Sequence, residues 1–166
     1  ATANLNIRIK GTNDGPLAVL DEGFVSEDTV LESTGSVLAN DSDPDAGTML
    51  KVASAGEFAG SYGRLTLGAD GAWRYTLDNA AVQSLGAGQS VEERFRYAVE
   101  DDASTPESAE SELVIRISGA NDGPVAANDD AGLEEDGSLF TSGNVLGNDS
   151  DVDAGTVLSV RNAGQF

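Results

Sequence analysis

Three carboxylates alternate along Asp41-Ser42-Asp43-Pro44-Asp45, in a turn that ends at Gly47. Calcium takes about six to eight oxygen ligands in irregular geometry, so closely spaced aspartates in a flexible loop suit it. Magnesium keeps more of its water and is the second choice. The loop is not an EF-hand: counted from Asp41, the sixth position is Ala46 and the twelfth Val52, where that motif needs Gly and Glu. Asx side chains can also satisfy their own turns by bonding nearby backbone, which is the plainer role for the same residues. The stretch returns as Asp149-Ser150-Asp151-Val152-Asp153, at an offset of 108 residues. That all three aspartates recur while Pro44 becomes Val152 favours ligands over turn chemistry alone.

Other acids recur at the same offset. Asn13-Asp14 and Asn121-Asp122 sit in matching Gly-x-Asn-Asp-Gly-Pro segments, and Glu27-Asp28 returns as Glu135-Asp136. Asp101 and Asp102 follow an alternating apolar run. Each pair alone suits a solvated turn, whereas together they offer enough oxygens for one interface between repeats. Holding so many carboxylates together without a cation is costly, because like charges raise one another's pKa. The chain has no His and no Cys, so imidazole, thiolate and zinc-type chemistry are excluded and hard oxygen donors remain. Paired carboxylates can hydrolyse glycosides, but these lie in Gly/Asn turns with no pocket-forming sequence, and an enzyme is not expected.

The elements that must position these acids follow from the repeat. Residues 1–58 overlay 109–166 without a gap, with roughly half the pairs identical, the signature of a tandem array. The expected organisation is 1–10 as the last strand of one repeat, 11–118 as a complete repeat and 119–166 as the first part of the next. Leu5, Ile7 and Ile9 alternate as in a half-buried strand, and Pro16 with its Gly and Asn neighbours breaks it. Leu17–Leu31 is extended, Val37-Leu38 is a short apolar element, and Met49–Val52 reads as a strand. Leu65 and Leu67, then Trp73, Tyr75 and Leu77, alternate across Gly68-Ala-Asp-Gly71 and form a hairpin. Asn79–Leu85 suits one or two helical turns. Val91–Val99 and Leu113–Ile117 complete about seven strands, which points to an all-β sandwich with Phe58, Trp73, Tyr75, Phe95 and Tyr97 in its core. The tail lacks counterparts of residues 59–108, so it is expected to be partly ordered or to take part in strand exchange or self-association with another molecule.

Acids outnumber bases 29 to 9, a net charge of −20. Such a field repels nucleic acid and anionic membranes, and no apolar run is long enough to cross a bilayer. Without Cys, an exported array needs a staple other than disulfides.

Leu85-Gly-Ala-Gly-Gln-Ser-Val91, Phe95-Arg-Tyr-Ala-Val-Glu-Asp-Asp102 and Val114-Ile-Arg-Ile-Ser-Gly-Ala-Asn-Asp-Gly-Pro124 resemble the VCBS repeat. That is a cadherin-like, immunoglobulin-type sandwich found in tandem in very large bacterial surface proteins, including RTX adhesins. The resemblance implies calcium (Ca2+) at the joints, with Asn13, Asp14, Glu27, Asp43, Asp45, Asp101, Asp102, Asn121 and Asp122 as ligands. The residues themselves add Asp41, Glu135, Asp149, Asp151 and Asp153. The implied function is a calcium-stiffened extender of a bacterial cell-surface, biofilm-type adhesin, secreted and extracellular, whose partners are its neighbouring repeats. The alternative is a module that binds carbohydrate or a surface polymer, which would expose aromatics in its loops; Phe24 and Tyr62 are the candidates.

Overall fold

The structure is a computed structural model that describes residues 1–162 and Gly164. The remaining positions of the expected 119–166 segment lie outside the described residues. Eight strands are present among the described residues: β1 (Asp21–Ser26), β2 (Glu32–Ser36), β3 (Lys51–Val52), β4 (Gly56–Ala59), β5 (Gly63–Leu67), β6 (Ala72–Leu77), β7 (Ser90–Glu100) and β8 (Ser108–Ser118). They form two four-stranded sheets, ordered β1-β8-β7-β3 and β2-β6-β5-β4. Pairing is antiparallel except for β1 and β8, which run parallel from Asp21 beside Leu113 to Ser26 beside Ser118. This is the all-β sandwich that the alternating pattern implies.

Alternation decides which side chains meet between the sheets, because successive residues of a strand face opposite ways. Trp73, Tyr75 and Leu77 of β6 and Leu65 and Leu67 of β5 oppose Phe95, Tyr97 and Val99 of β7 and Leu113, Ile115 and Ile117 of β8, all buried. Tyr75 and Phe95 pack edge-tilted, ring centroids 6.0 Å apart. Phe58 is only half-buried and packs against this cluster from edge strand β4. Phe24 is exposed. Trp73 lies over two glycines: a Cβ at Gly35 would approach its ring to 2.8 Å, and one at Gly23 to 2.7 Å. Glu93 occupies an inward position of β7, and its charge is satisfied there. Tyr75 Oη donates to it at 2.7 Å, and the N–H groups of Tyr62 (2.9 Å) and Ser61 complete the shell.

Several local expectations change. The hairpin forms as β5 and β6, with Gly71 in the left-handed region at φ 80° where a side chain is disfavoured. Glu32–Ser36 is a further strand that alternation did not reveal, since Thr34, Gly35 and Ser36 give no apolar signal. The strand expected at Met49–Val52 shortens to Lys51–Val52, and the helical turns at Asn79–Leu85 reduce to one 3-10 turn, Asn79–Ala81. Residues 1–10 do not form the expected strand: Leu5, Ile7 and Ile9 are exposed, Ile9 at 91%. Their counterparts 113, 115 and 117 are held between β1 and β7, and nothing among residues 1–10 supplies such neighbours. Beyond Ser118 the chain makes turns and one isolated bridge, Val125 with Ser150.

Because β1 and β8 run parallel while β7 runs against them, the sandwich has two chemically distinct ends. The upper end gathers the start of β1, the end of β7, and the loops 13–20, 41–49 and 101–107. The lower end gathers the end of β1, the 79–89 segment and the joint after Ser118.

Candidate metal centre

The acidic loop is built by hydrogen bonds to its own repeat's entry segment, and both copies are built alike. Leu17 and Ser42 exchange backbone bonds, as do Val125 and Ser150. Asp41 Oδ1 accepts from Val19 N at 2.8 Å, and Asp149 Oδ1 from Ala127 N at 2.8 Å. Asp43 Oδ1 accepts from Asp45 N at 2.8 Å, and Asp151 Oδ1 from Asp153 N at 2.9 Å. Asp45 Oδ2 accepts from Asp14 N at 2.9 Å, and Asp153 Oδ2 from Asp122 N at 3.0 Å. Asn40 donates to Leu20 O and Asn148 to Asn128 O, both at 3.1 Å. The Asx turn chemistry is thus real. It uses one oxygen of Asp41, Asp43 and Asp153, and leaves the other without a donor.

Asp41 Oδ2, Asp43 Oδ2, Asp122 Oδ2 and Asp153 Oδ1 are shielded from solvent and have no hydrogen-bond partner. Asp153 as a whole is 6% exposed. A buried carboxylate oxygen without a donor is unfavourable, and a hard cation is the partner that such oxygens suit. All of the orphaned atoms belong to aspartates in the two loops or the joint. Six of the nine Lys and Arg side chains are engaged elsewhere: Lys51, Arg64, Arg74, Arg94, Arg96 and Arg116 pair with glutamates on the strands. No described ion pair reaches these acids.

The expected single cluster divides between the two ends. At the upper end Asp101 is fully buried, and Asn13 Nδ2 donates to its Oδ2 at 2.7 Å. Ala103 N and Glu107 N also donate to it, at 3.0 and 3.2 Å. These bonds, Asn13's above all, hold the Asp101 carboxyl below its ordinary pKa despite burial. Asp102 Oδ1 accepts from Met49 N at 3.0 Å. Asn13, Asp14, Asp43, Asp45, Asp101 and Asp102 therefore share this end. Asp41 turns aside from them toward Asp21, whose carboxylate receives Tyr97 Oη at 2.6 Å. Burial raises the pKa of both acids, and Asp41's charge adds to the rise at Asp21.

At the lower end Glu27 is fully buried; Ala120 N donates to its Oε2 at 2.9 Å and Gln83 Nε2 to its Oε1 at 2.9 Å. Across the joint stand Asp122, Asp151 and Asp153 of the second copy. Burial raises the Asp122 pKa, and the charges of Asp28, Asp153 and Asp151 raise it further. The second copy's loop docks on the first repeat through Ala154 N, which donates to Ser84 O at 3.0 Å, and Asp153 packs on Gly86. Asn121 Nδ2 donates to Asp122 O at 2.6 Å, whereas its counterpart Asn13 donates to Asp101. Glu135 lies in an exposed turn.

Among the described residues no group of three acidic side chains is gathered tightly enough to hold a metal outright. Carboxylates with no countercharge stand apart and take backbone N–H groups instead. The lower end includes side chains that sequence alone left unassigned. Gln83 and Asn79 have no recurrence among the 166 residues to mark them. Asp28 was flagged only through its repetition as Asp136.

A family model described as bacterial cadherin-like domain matches residues 13–119. No curated protein matches the chain. Among solved structures, a nucleoside hydrolase-related hypothetical protein from Saccharophagus degradans, associated with carbohydrate metabolism, is similar at TM-score 0.43 and 18% identity. The match covers 63% of this chain and 26% of that one.

Proposed function

Because this chain belongs to the family of bacterial cadherin-like domains, we propose that it is a calcium-stiffened extender module of a large bacterial surface adhesin. Its repeats, in series, hold a distal binding domain away from the cell, and it is not an enzyme. An extracellular, cell-surface setting fits both the family and the millimolar calcium such modules use. Among the described residues no helix is long and apolar enough to cross a membrane.

The observation that carries the calcium reading is the orphaned, solvent-shielded oxygens of Asp122 and Asp153 where one repeat meets the next. Glu27 and Asp28 from the first repeat, with Asp122, Asp151 and Asp153 from the joint and second repeat, would hold the ion there. Asn13, Asp14, Asp43, Asp45, Asp101 and Asp102 are the corresponding donors at the upper end. A bound cation would offset the mutual repulsion of these acids and draw the two repeats into one orientation. The partners on this reading are adjacent repeats of the same chain, with strand exchange or self-association through the segment after Ser118 as a further contact.

Extracellular sites bind calcium at about 10⁻⁴–10⁻³ M, so at roughly 10 mM each adds about 1.4–2.7 kcal/mol of stability. Thermal unfolding in EDTA, with calcium and then magnesium restored, tests this. The expected result is a melting temperature lower in EDTA, restored by calcium and poorly by magnesium. Identical melting in all three solutions refutes the proposal.

A further inference from the structure

Among the acids of the lower joint stands one uncharged side chain in a cation's position. Gln83 follows the 3-10 turn, and its Nε2 donates both to Glu27 Oε1 at 2.9 Å and to Asp28 Oδ1 at 3.2 Å. Asn79 holds Asp28 from the same segment: Asn79 Nδ2 donates to Asp28 Oδ1 at 2.7 Å, and Asp28 N donates to Asn79 Oδ1 at 2.9 Å. Asp28 has a left-handed backbone, φ 58°, a conformation that Asp tolerates better than most residues. The reciprocal pair with Asn79 keeps it there. Two carboxylates, one of them on a fully buried residue, thus converge on the positive end of a single amide dipole. The joint beyond them supplies the orphaned oxygens of Asp122 and Asp153.

We propose, resting on the calcium reading above, that Gln83 is a built-in competitor of the ion. In the ion-free protein its amide bridges Glu27 and Asp28 and relieves part of their repulsion. For calcium to use those oxygens the amide must release them. Gln83 therefore sets the calcium concentration at which the joint orders, acting as a positioning residue through its hold on the two acids. The amide carries only partial charge, so it lowers the free energy of the empty joint without matching what a divalent ion supplies.

Gln83→Met keeps the length of the side chain and removes both donated bonds. Three readouts follow: the melting temperature in EDTA, the melting temperature at 10 mM calcium, and the calcium Kd by titration calorimetry. The upper cluster, which Gln83 does not touch, serves as an internal reference in the titration. The expected outcome is a lower melting temperature in EDTA, an unchanged one in calcium, and binding at one class of site about tenfold tighter. That factor is what the loss of even one hydrogen bond to a charged group is worth, and the substitution removes two. Weaker calcium binding would overturn the proposal, since Gln83 Oε1 would then be a ligand. An equal fall in both melting temperatures, or an unchanged Kd, would overturn it by reducing Gln83 to a packing or surface residue. If the unsubstituted protein takes up no calcium, the extender reading fails and this inference fails with it. If it does take up calcium, any adverse result counts against Gln83 alone.

Discussion

Replacing Asp153 by Asn should change the sign of its effect with calcium. In the ion-free protein Asp153 Oδ2 accepts from Asp122 N, and Oδ1 is shielded with no donor. Asp153→Asn keeps an oxygen for Asp122 N, turns the orphaned acceptor into a donor, and removes a charge that raises the Asp122 pKa. Relief of the charge repulsion between Asp153 and Asp122 should therefore raise stability in EDTA. For a domain of this size each kcal/mol moves the melting temperature by about 4–8 °C. In 10 mM calcium the variant lacks a ligand at the lower joint and forfeits most of the roughly 1.4–2.7 kcal/mol that one site contributes. Differential scanning calorimetry of both proteins in EDTA and in calcium measures each arm. The variant should melt higher than the parent without calcium and gain less when calcium is added. A shift of equal sign and size in both solutions would refute the reasoning, because it would make Asp153 an ordinary turn residue.

Gly35→Ala places a Cβ 2.8 Å from the Trp73 ring and should cost about 1–3 kcal/mol by overpacking; urea unfolding should show this loss equally with and without calcium. Asp101 and Asp122 should also respond to acid in opposite senses. Asp101 has a depressed pKa, so its contribution is complete above the ordinary value of 3.8 and is lost as pH falls through its folded value. Asp122 has a raised pKa, so the ion-free protein is relieved as pH falls through that folded value toward 3.8, while calcium binding at the lower joint weakens over the same interval. Calcium titrations at stepped pH, paired with Asp122→Asn, should place that weakening at the lower joint, and a pH-independent Kd would contradict it.

The sandwich was legible because its strongest signals are period-two alternations in aromatic and β-branched residues. Trp73, Tyr75 and Leu77 announce β6 from any window that contains them. Strand β2 has no such signal: Glu32–Ser36 is an edge strand with a glycine under Trp73, and its reason for being a strand lies in β6. Residues 1–10 show the reverse, a clear alternation with no neighbours to pair with. The candidate site was legible in its residue types, since recurrence marked the aspartates. It was not legible in its partition, because only the parallel run of β1 beside β8 and the antiparallel return of β7 put Asp101 at one end and Glu27 at the other. Gln83 and Asn79 were invisible for a further reason. Neutral amides in a turn look like turn formers until the acids they hold are known.

That parallel pairing also fixes how the module meets tension. The chain enters β1 at the upper end and leaves β8 at the lower end, and the two strands lie side by side from Asp21–Leu113 to Ser26–Ser118. A pull along the array draws the two strands past one another lengthwise. The ladder bonds between them are then strained together in shear, and none can open before its neighbours as in a hairpin peeled from one end. The interior strands β5 and β6 and the aromatic core lie off this line of load. On the extender reading, mechanical resistance would reside in this parallel ladder, and the acidic ends would be the couplings that pass force to a neighbouring repeat.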